Sequence, residues 1–150
     1  MEPEKHYRNL EAMYKKGPIN AFFDPQITVS KGAALIECEV QETFQHAAGG
    51  LHGCVYFKML DDAAYFAAAS REREYFLVTV SFQVYLMRSV PKGLLRAQGK
   101  LVQFSPGLIV AEAELFDLRG REIGRGSGTF AKSPVLIESA AGYGSADGHS

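Results

Sequence analysis

The sequence lacks several features that mark specialised protein classes. It has no tryptophan and only two cysteines, Cys38 and Cys54, so it gives no sign of a disulfide framework, and we expect both thiols to be reduced. Sixteen lysines and arginines nearly balance 17 aspartates and glutamates. Because the basic residues are scattered along the chain, the sequence predicts neither a nucleic-acid partner nor a membrane-surface helix.

Long apolar runs and targeting signals are missing as well. The first five residues lack the apolar segment of a signal peptide, and charged residues interrupt the longest apolar stretch, which argues against a membrane span. We therefore expect a cytoplasmic protein. At 150 residues, 47% of them hydrophobic, the chain can bury one core. We predict a single domain over residues 1–138 and a flexible tail over 139–150, where Ala, Gly and Ser dominate.

The spacing of apolar residues predicts two helices and five strands. Apolar residues recur at helical spacing before a Gly-Pro pair, at Tyr7, Leu10, Met13 and Tyr14, which predicts an N-terminal helix over about 4–16 that serves as a lid or clasp. Apolar and polar residues alternate in five later segments. These predicted strands cover 33–44, 76–88, 94–104, 108–118 and 122–132, and we expect the last four to form an antiparallel meander.

The last predicted strand contains three glycines at alternating positions, Gly124, Gly126 and Gly128. A strand position without a side chain lets a neighbouring group approach the backbone closely. We expect another backbone or a ligand to lie there.

The most informative segment is an apolar stretch, 55–69, that carries two acids, Asp61 and Asp62. It has no clean polar face, which predicts a helix that protein surrounds on most sides. Burying a carboxylate costs several kcal/mol unless a partner compensates. Asp61 has mainly apolar neighbours at helical spacing, so we expect it to point inward with a raised pKa that suits a general base. Asp62 is expected to be solvated, and a purely structural role for Asp61 is the alternative.

Three features in order along the chain resemble a known family. His52-Gly53 opens the predicted helix, Asp61 lies nine positions after His52, and Thr79 provides a hydroxyl on the next strand. This arrangement resembles the hot-dog fold thioesterases of the phenylacetate-degradation type over residues 33–132. The resemblance implies an α+β hot-dog fold, in which an antiparallel sheet wraps around a central apolar helix.

The resemblance also implies roles for these residues in hydrolysis of an acyl-coenzyme A. The backbone N–H of Gly53, at the positive end of the helix, binds the thioester carbonyl. Asp61 activates water as a general base or attacks as a nucleophile, and Thr79 holds the water. His52 supports the loop or the leaving thiolate. The family builds each site across a dimer interface, so the resemblance implies a homodimer or homotetramer.

Two positions depart from the family pattern. His46 stands where the family usually has an asparagine that polarises the carbonyl, and Cys54 stands where a second glycine is common. An imidazole can also donate an N–H, but it titrates near neutral pH, so the activity becomes pH-dependent. The larger side chain of Cys54 is expected to narrow the substrate channel.

Coenzyme A enters only as part of the substrate, and we expect no separate cofactor. Arg88 and Lys92 flank a turn around Pro91, where they can meet coenzyme A phosphates. His46, His52, Cys54 and Asp61 do not have the spacing of a zinc motif, so no metal is expected. Two alternatives stay open: a hot-dog hydratase or dehydratase that pairs a histidine with Asp61, and a non-catalytic module that binds an acyl ligand.

Overall fold

The structure is a computed structural model that describes residues 2–147. Within this range, three α-helices and six β-strands follow one another. The helices are α1 (Pro3–Lys16), α2 (Asn20–Phe23) and α3 (Gly53–Ala69). The strands are β1 (Gln26–Ser30), β2 (Ala33–Glu39), β3 (Tyr75–Leu86), β4 (Leu94–Ser105), β5 (Leu108–Phe116) and β6 (Glu122–Leu136). Short 3₁₀ turns cover Glu42–Phe44, Ile137–Ser139 and Ser145–Asp147.

One antiparallel sheet wraps around α3. The strand order is β1-β2-β4-β5-β6-β3, and α3 contacts all six strands, which a single helix can do only if the sheet curls around it. The helix buries ten of its side chains in this way. The predicted α+β architecture, with the sheet around a central helix, is confirmed.

The predicted meander of four strands is wrong. Strands β4, β5 and β6 are joined as consecutive hairpins, but β3 pairs with β6, with Thr79 opposite Phe130. Strand β2 occupies the edge of β4 that a meander would have given to β3. Within the described chain, strand β3 therefore lies at an edge of the sheet and pairs on one side only.

The segment before α3 also differs from the prediction. The strand predicted over 33–44 ends at Glu39, and Glu42–Phe44 forms a 3₁₀ turn. Strand β1 was not predicted, because only Ile27 and Val29 of its five residues alternate into the core. So short a pattern is a weak signal, whereas pairing with β2 satisfies its backbone.

Close approach between α3 and the sheet depends on Gly99 in β4. A Cβ at this position would lie 2.0 Å from the carbonyl oxygen of Ala63. The helix turns its buried alanines, Ala63, Ala64, Ala67 and Ala68, into the core. Small residues on both elements thus bring the helix backbone onto the strand and fix the depth of the helix in the sheet.

An aromatic ring fills the space above the β6 glycines. A Cβ on Gly126 or Gly128 would lie 2.5 Å or 2.3 Å from the ring of Phe82 in β3. That ring also packs edge-on against Phe57 of α3, at 5.6 Å between centroids. The expected close approach exists: besides this ring, the backbone carbonyl oxygens of Gln83 and Ser81 in β3 would lie 3.0 Å and 2.6 Å from a Cβ on Gly126 and Gly128.

The two ends of the described chain lie together. The N-terminal helix is confirmed over Pro3–Lys16, and residues after β6 pack on it, with the Tyr143 hydroxyl 2.7 Å from Nδ1 of His6. The flexible tail over 139–150 stays a prediction, as does the domain boundary. Within this segment Tyr143 makes the contact with His6, and residues 148–150 lie outside the described part of the chain.

Among residues 2–147, no helix is long and apolar enough to cross a membrane.

Candidate active site

The half-buried carboxyl group of Asp61 lies in the middle of α3. Its Oδ1 accepts a hydrogen bond from the hydroxyl of Thr79, at 2.9 Å. Burial raises the pKa of Asp61 to about 6, the neighbouring Asp62 charge raises it further, and the Thr79 hydrogen bond and the Lys58 charge partly oppose the shift. Asp61 thus has a carboxyl group whose pKa lies near neutral pH, which is the range that suits a general base.

Asp62 has a different environment from the solvated one that we expected. Its Oδ2 accepts hydrogen bonds from Lys58 Nζ and from the Tyr14 hydroxyl, both at 2.7 Å. The Lys58 and Asp62 side chains are only 13% and 19% exposed. The prediction was wrong because α1 covers this face of α3, and nothing in the α3 pattern indicates that cover.

Asp61 and Thr79 line a cavity of about 450 Å³, here called the Asp61 cavity. This volume lies in the range of about 300–1,000 Å³ that is typical of small-molecule sites. Aromatic side chains from three elements form much of its wall: Tyr14, Tyr65, Phe66 and Phe76. A mainly apolar cavity with a few polar groups beside a carboxyl group of raised pKa is the usual form of a candidate active site.

The amino end of α3 carries the second group of predicted residues. His52 is the N-cap, and its Nδ1 accepts a hydrogen bond from the Cys54 backbone N–H at 2.9 Å. The imidazole of His52 is exposed, and its placement stabilises the start of the helix. Gly53 is the first residue of α3, so its N–H has no acceptor within the helix and can donate to a ligand.

His46 and Gly53 line a second, smaller pocket of about 320 Å³, here called the Gly53 pocket. Nδ1 of His46 accepts a hydrogen bond from the Ala48 backbone N–H at 3.1 Å. A neutral ring that accepts at Nδ1 carries its proton on Nε2, where it is a donor. The pocket thus combines two neutral N–H donors, one from a backbone and one from an imidazole.

The two groups of predicted residues do not meet within one chain. Asp61 lies eight positions after Gly53 in the helix, which corresponds to about 12 Å along the helix axis. The structure brings together Asp61 and Thr79 in one cavity, and His46 and Gly53 in the other pocket. The two groups therefore lie in separate pockets of a single chain, the Asp61 cavity and the Gly53 pocket.

Of the two residues predicted to bind phosphate, Arg88 lines one of these pockets and Lys92 does not. Arg88 is exposed and lines the Gly53 pocket. Lys92 is also exposed, in the turn before β4, and it is not part of the lining of that pocket. Cys54 is an exposed free thiol and Cys38 a buried one.

Two residues of the Asp61 cavity, Tyr14 and Asn20, were missed at the level of sequence. Both lie in the N-terminal region and line the cavity beside Asp62. The apolar spacing of α1 did place Tyr14 on the buried face of a helix, but no pattern indicates which helix it packs against. Among the described residues, no group of three histidine, cysteine, aspartate or glutamate side chains is arranged to hold a metal ion.

Sequence comparison identifies relatives of this chain. The family model of the thioesterase superfamily matches residues 48–123, about half of the chain and the part that contains His52, Gly53, Asp61 and Thr79. A protein of Saccharolobus solfataricus, provisionally named an esterase, is 28% identical over 120 residues, which cover 79% of this chain and 86% of the relative.

Solved structures share the fold at low sequence identity. The E. coli PaaI protein from the phenylacetic acid degradation operon superposes with a TM-score of 0.81 at 18% identity, covering 89% of this chain and 97% of that one. The TT0310 protein from Thermus thermophilus gives a TM-score of 0.72 at 19% identity, covering 79% and 99%. The predicted hot-dog fold is confirmed, and this chain belongs to the thioesterase superfamily.

Proposed function

We propose that this protein is an acyl-coenzyme A thioesterase in which Asp61 activates the attacking water. The observation that carries the proposal is the half-buried Asp61 carboxyl group, whose pKa is raised to about 6, beside the Asp61 cavity. The carboxylate accepts a proton from water as the oxygen attacks the thioester carbon, and the proton passes to the leaving thiolate. The carbon–sulfur bond breaks, and the products are a thiol and a carboxylic acid, which releases its proton to the solvent as a carboxylate forms.

Thr79 supports this role through its hydroxyl group. The hydroxyl donates to Asp61, which leaves its oxygen lone pairs to accept a hydrogen bond from water. Asp61 and Thr79 together can therefore orient one water molecule for attack. Thr79 thereby takes the water-holding role that the family resemblance implies.

The Gly53 pocket supplies the complementary chemistry. The Gly53 N–H lies at the positive end of α3, and an oxyanion that develops on the thioester carbonyl is stabilised by such a donor. The Nε2–H of His46 is a second donor in the same pocket and replaces the amide of the family asparagine. His52 keeps the helix start in place through its hydrogen bond to Cys54.

We propose that a homodimer brings the Asp61 cavity of one subunit next to the Gly53 pocket of the other. Within the described residues, strand β3 leaves one edge unpaired over 12 residues, and its Val80, Tyr85 and Leu86 are 65%, 60% and 53% exposed. A long apolar edge of this kind favours pairing with another strand. If two β3 strands pair antiparallel around Phe82, Thr79 faces the segment near Leu86 of the partner subunit.

This pairing brings a complete site together. A Cβ on Gly53 would lie 3.1 Å from the side chain of Leu86, so the amino end of α3 lies beside the Leu86 end of β3. Asp61 lies beside Thr79, nearer the other end of β3. The water held by Asp61 and Thr79 of one subunit would then face Gly53 of the partner subunit. Pairing of such dimers into tetramers stays a prediction.

Arg88 and Lys92 are proposed to hold the coenzyme A phosphates. Arg88 lies at the Gly53 pocket, where the nucleotide end of the substrate would leave the site, and guanidinium groups bind phosphate through paired hydrogen bonds. Coenzyme A is then part of the substrate, and no other cofactor is needed. A cytoplasmic location stays a prediction from the sequence.

The first test compares thiol release from aliphatic and aryl acyl-coenzyme A substrates by the wild type, Asp61→Asn and Asp62→Asn. We expect Asp61→Asn to lower kcat/KM by about 10²–10⁴-fold, the range typical of a lost general base. Asp62→Asn removes the adjacent carboxylate and is the matched control, and it should retain most of the activity. Thiol release that survives in Asp61→Asn removes this residue from the mechanism. Turnover without thiol release would instead indicate a hydratase.

The shared site is tested by mixing two inactive variants. Gly53→Pro removes the proposed N–H donor at a helix position that tolerates proline, and His52 already has the extended backbone that a following proline requires. Gly53→Ala keeps the N–H and is its control. Co-expression of Asp61→Asn with Gly53→Pro should restore about a quarter of the wild-type activity, because half of the dimers then hold one intact site. No restoration would contradict a site shared between subunits.

A further inference from the structure

We propose that the C-terminal segment over residues 140–147, here called the C-terminal strap, is a specificity-determining wall of the Asp61 cavity. In this proposal Ala140 and Ala141 limit the size of the acyl group that the cavity accepts, and Tyr143 holds the wall in place. That the occupant is an acyl group rests on the proposed function.

The C-terminal strap reaches the cavity directly. Ala140 and Ala141 both line the Asp61 cavity, on the side where the chain leaves β6 and crosses towards α1. Ile137, three residues before Ala140, anchors this crossing, since its side chain is 2% exposed and its N–H donates to the Glu74 carbonyl at 2.9 Å. The two alanines therefore start from a fixed point at the edge of the core.

A polar contact fastens the middle of the C-terminal strap to α1. Nε2 of His6 lies 2.8 Å from the carbonyl oxygen of Ala69, and Nδ1 lies 2.7 Å from the Tyr143 hydroxyl. Because a carbonyl can only accept, Nε2 carries a proton. Burial lowers the pKa of His6 and favours the neutral ring, so Nδ1 accepts from the Tyr143 hydroxyl. The network links the C-terminal strap, α1 and the end of α3.

A glycine seats the backbone beside this contact. Gly142 has φ +84°, and a Cβ there would lie 2.6 Å from Cγ of Lys16 and 2.8 Å from the Ala12 carbonyl oxygen. The backbone of the C-terminal strap thus lies directly on α1. Helix α1 itself contributes Met13 and Tyr14 to the cavity, so the contact holds two neighbouring parts of the wall together.

The rest of the wall of the Asp61 cavity tolerates larger side chains less well than the C-terminal strap does. Residues from α3 and β3, such as Phe66 and Leu77, are 4% and 1% exposed and belong to the hydrophobic core. Ala141 lines the cavity but is exposed, so a larger side chain there can occupy cavity space without displacing core residues. Side-chain size at this position should consequently set the space left for an acyl group.

The test measures kcat/KM for acyl-coenzyme A substrates from acetyl to decanoyl and phenylacetyl. The variants are Ala141→Phe, which adds bulk at the cavity, and Ala146→Phe, which adds the same bulk in the C-terminal strap at an exposed residue outside the cavity lining. Tyr143→Phe removes the hydroxyl that contacts His6 and keeps the ring. Oligomeric state and melting temperature are measured for all three variants.

We expect Ala141→Phe to lower kcat/KM for the largest acyl groups by about tenfold or more relative to acetyl, within the range that steric changes in an apolar pocket produce. Ala146→Phe should leave the ratio unchanged. Tyr143→Phe should shift the ratio towards larger acyl groups because the wall loosens. The proposal is overturned if Ala141→Phe lowers kcat/KM equally for every substrate, or if Ala146→Phe has the same effect.

A binding measurement separates this proposal from the proposed function. Acetate, hexanoate, decanoate and phenylacetate are titrated into each variant by calorimetry. If the wild type hydrolyses no thioester but binds these carboxylates, and Ala141→Phe loses affinity for the larger ones alone, the thioesterase proposal fails and the wall proposal stands. If the wild type binds none of the carboxylates and hydrolyses no thioester, the wall proposal is overturned as well.

Discussion

Asp61 and Asp62 are adjacent in the sequence and both line the Asp61 cavity, but their carboxyl groups have contrasting partners on two sides of α3. On the Asp62 side, α1 covers the helix, and a lysine and a tyrosine hydroxyl both bind the carboxylate. On the Asp61 side, a cavity opens next to the carboxyl group, which accepts its hydrogen bond from the neutral hydroxyl of Thr79. One carboxylate is thus paired directly with a cation, and the other is paired with an uncharged donor.

A structural acid and a candidate catalytic acid differ in how the lost hydration of the carboxylate is compensated. A partly buried carboxylate is tolerated when a nearby cation compensates for lost hydration, and its proton affinity is then of little use for catalysis. Without a direct cation partner, burial instead raises the pKa, as it does for Asp61. The uncompensated carboxyl group can exchange a proton near neutral pH.

The largest predicted effect is on the pH dependence of kcat/KM. Asp61 acts as a base only when it is ionised, and its pKa is raised to about 6. The rate should therefore fall about tenfold for each pH unit well below 6, and by about fiftyfold between pH 6 and pH 4. A pH profile for a good substrate, taken over the range in which the protein stays folded, measures this limb directly.

The control for this profile is His46, the other titratable group proposed to act at the site. His46→Asn introduces the residue that the related family uses and removes the imidazole. If the acidic limb belongs to Asp61, the limb persists in His46→Asn with little change in its midpoint. Loss of the limb in that variant would assign it to the imidazole and contradict the role of Asp61 in the profile.

The next largest effect concerns stability on the Asp62 side. Asp62→Asn leaves the ammonium group of Lys58, only 13% exposed, without its carboxylate partner. We expect the free energy of unfolding to fall by roughly 1–3 kcal/mol, less than for a fully buried pair because both groups keep some contact with water. Urea denaturation measures the change. In a Lys58→Met background the same substitution should have a smaller effect, and equal effects would contradict the coupling.

The sequence pattern of α3 predicts the environment of Asp61 better than that of Asp62. The apolar pattern of α3 indicated a buried helix, and the sparse polar neighbours of Asp61 indicated an inward carboxyl group. Asp62 was misplaced because its partner Tyr14 comes from α1, 48 residues away along the chain, and local spacing holds no signal for such a contact. The pairing of β3 with β6 instead of β4 was missed for the same reason, since strand pairing depends on contacts between residues far apart in the sequence.

A smaller effect is expected in how stability changes with pH. The folded-state pKa of Asp61 is raised from 3.8 to about 6, so between these pH values the folded state holds the proton more tightly than the unfolded one. The stability that Asp61 contributes is fully present below about pH 4 and is lost as pH rises through 6. Asp61→Asn should remove this loss, of the order of 1 kcal/mol after allowing for partial exposure.

Urea denaturation of the wild type and Asp61→Asn at several pH values measures this difference. The two stabilities should diverge between pH 4 and pH 7, with the variant more stable at the higher pH. Asp62→Asn is again the comparison, because it should be less stable than the wild type at pH 7. A wild type that gains stability relative to Asp61→Asn as pH rises would contradict the raised pKa.

The smallest effect is predicted for Thr79→Val, which keeps the side-chain shape and removes the hydroxyl. The hydrogen bond from Thr79 lowers the pKa of Asp61 against the effect of burial, so its loss should move the acidic limb of kcat/KM to higher pH. Asp62→Asn should move the limb the other way, because the Asp62 charge raises the same pKa and Lys58, which lowers it, remains. The two variants thus shift one midpoint in opposite directions, and shifts of the same sign would show that the carboxyl group being titrated is not the one between Thr79 and Asp62.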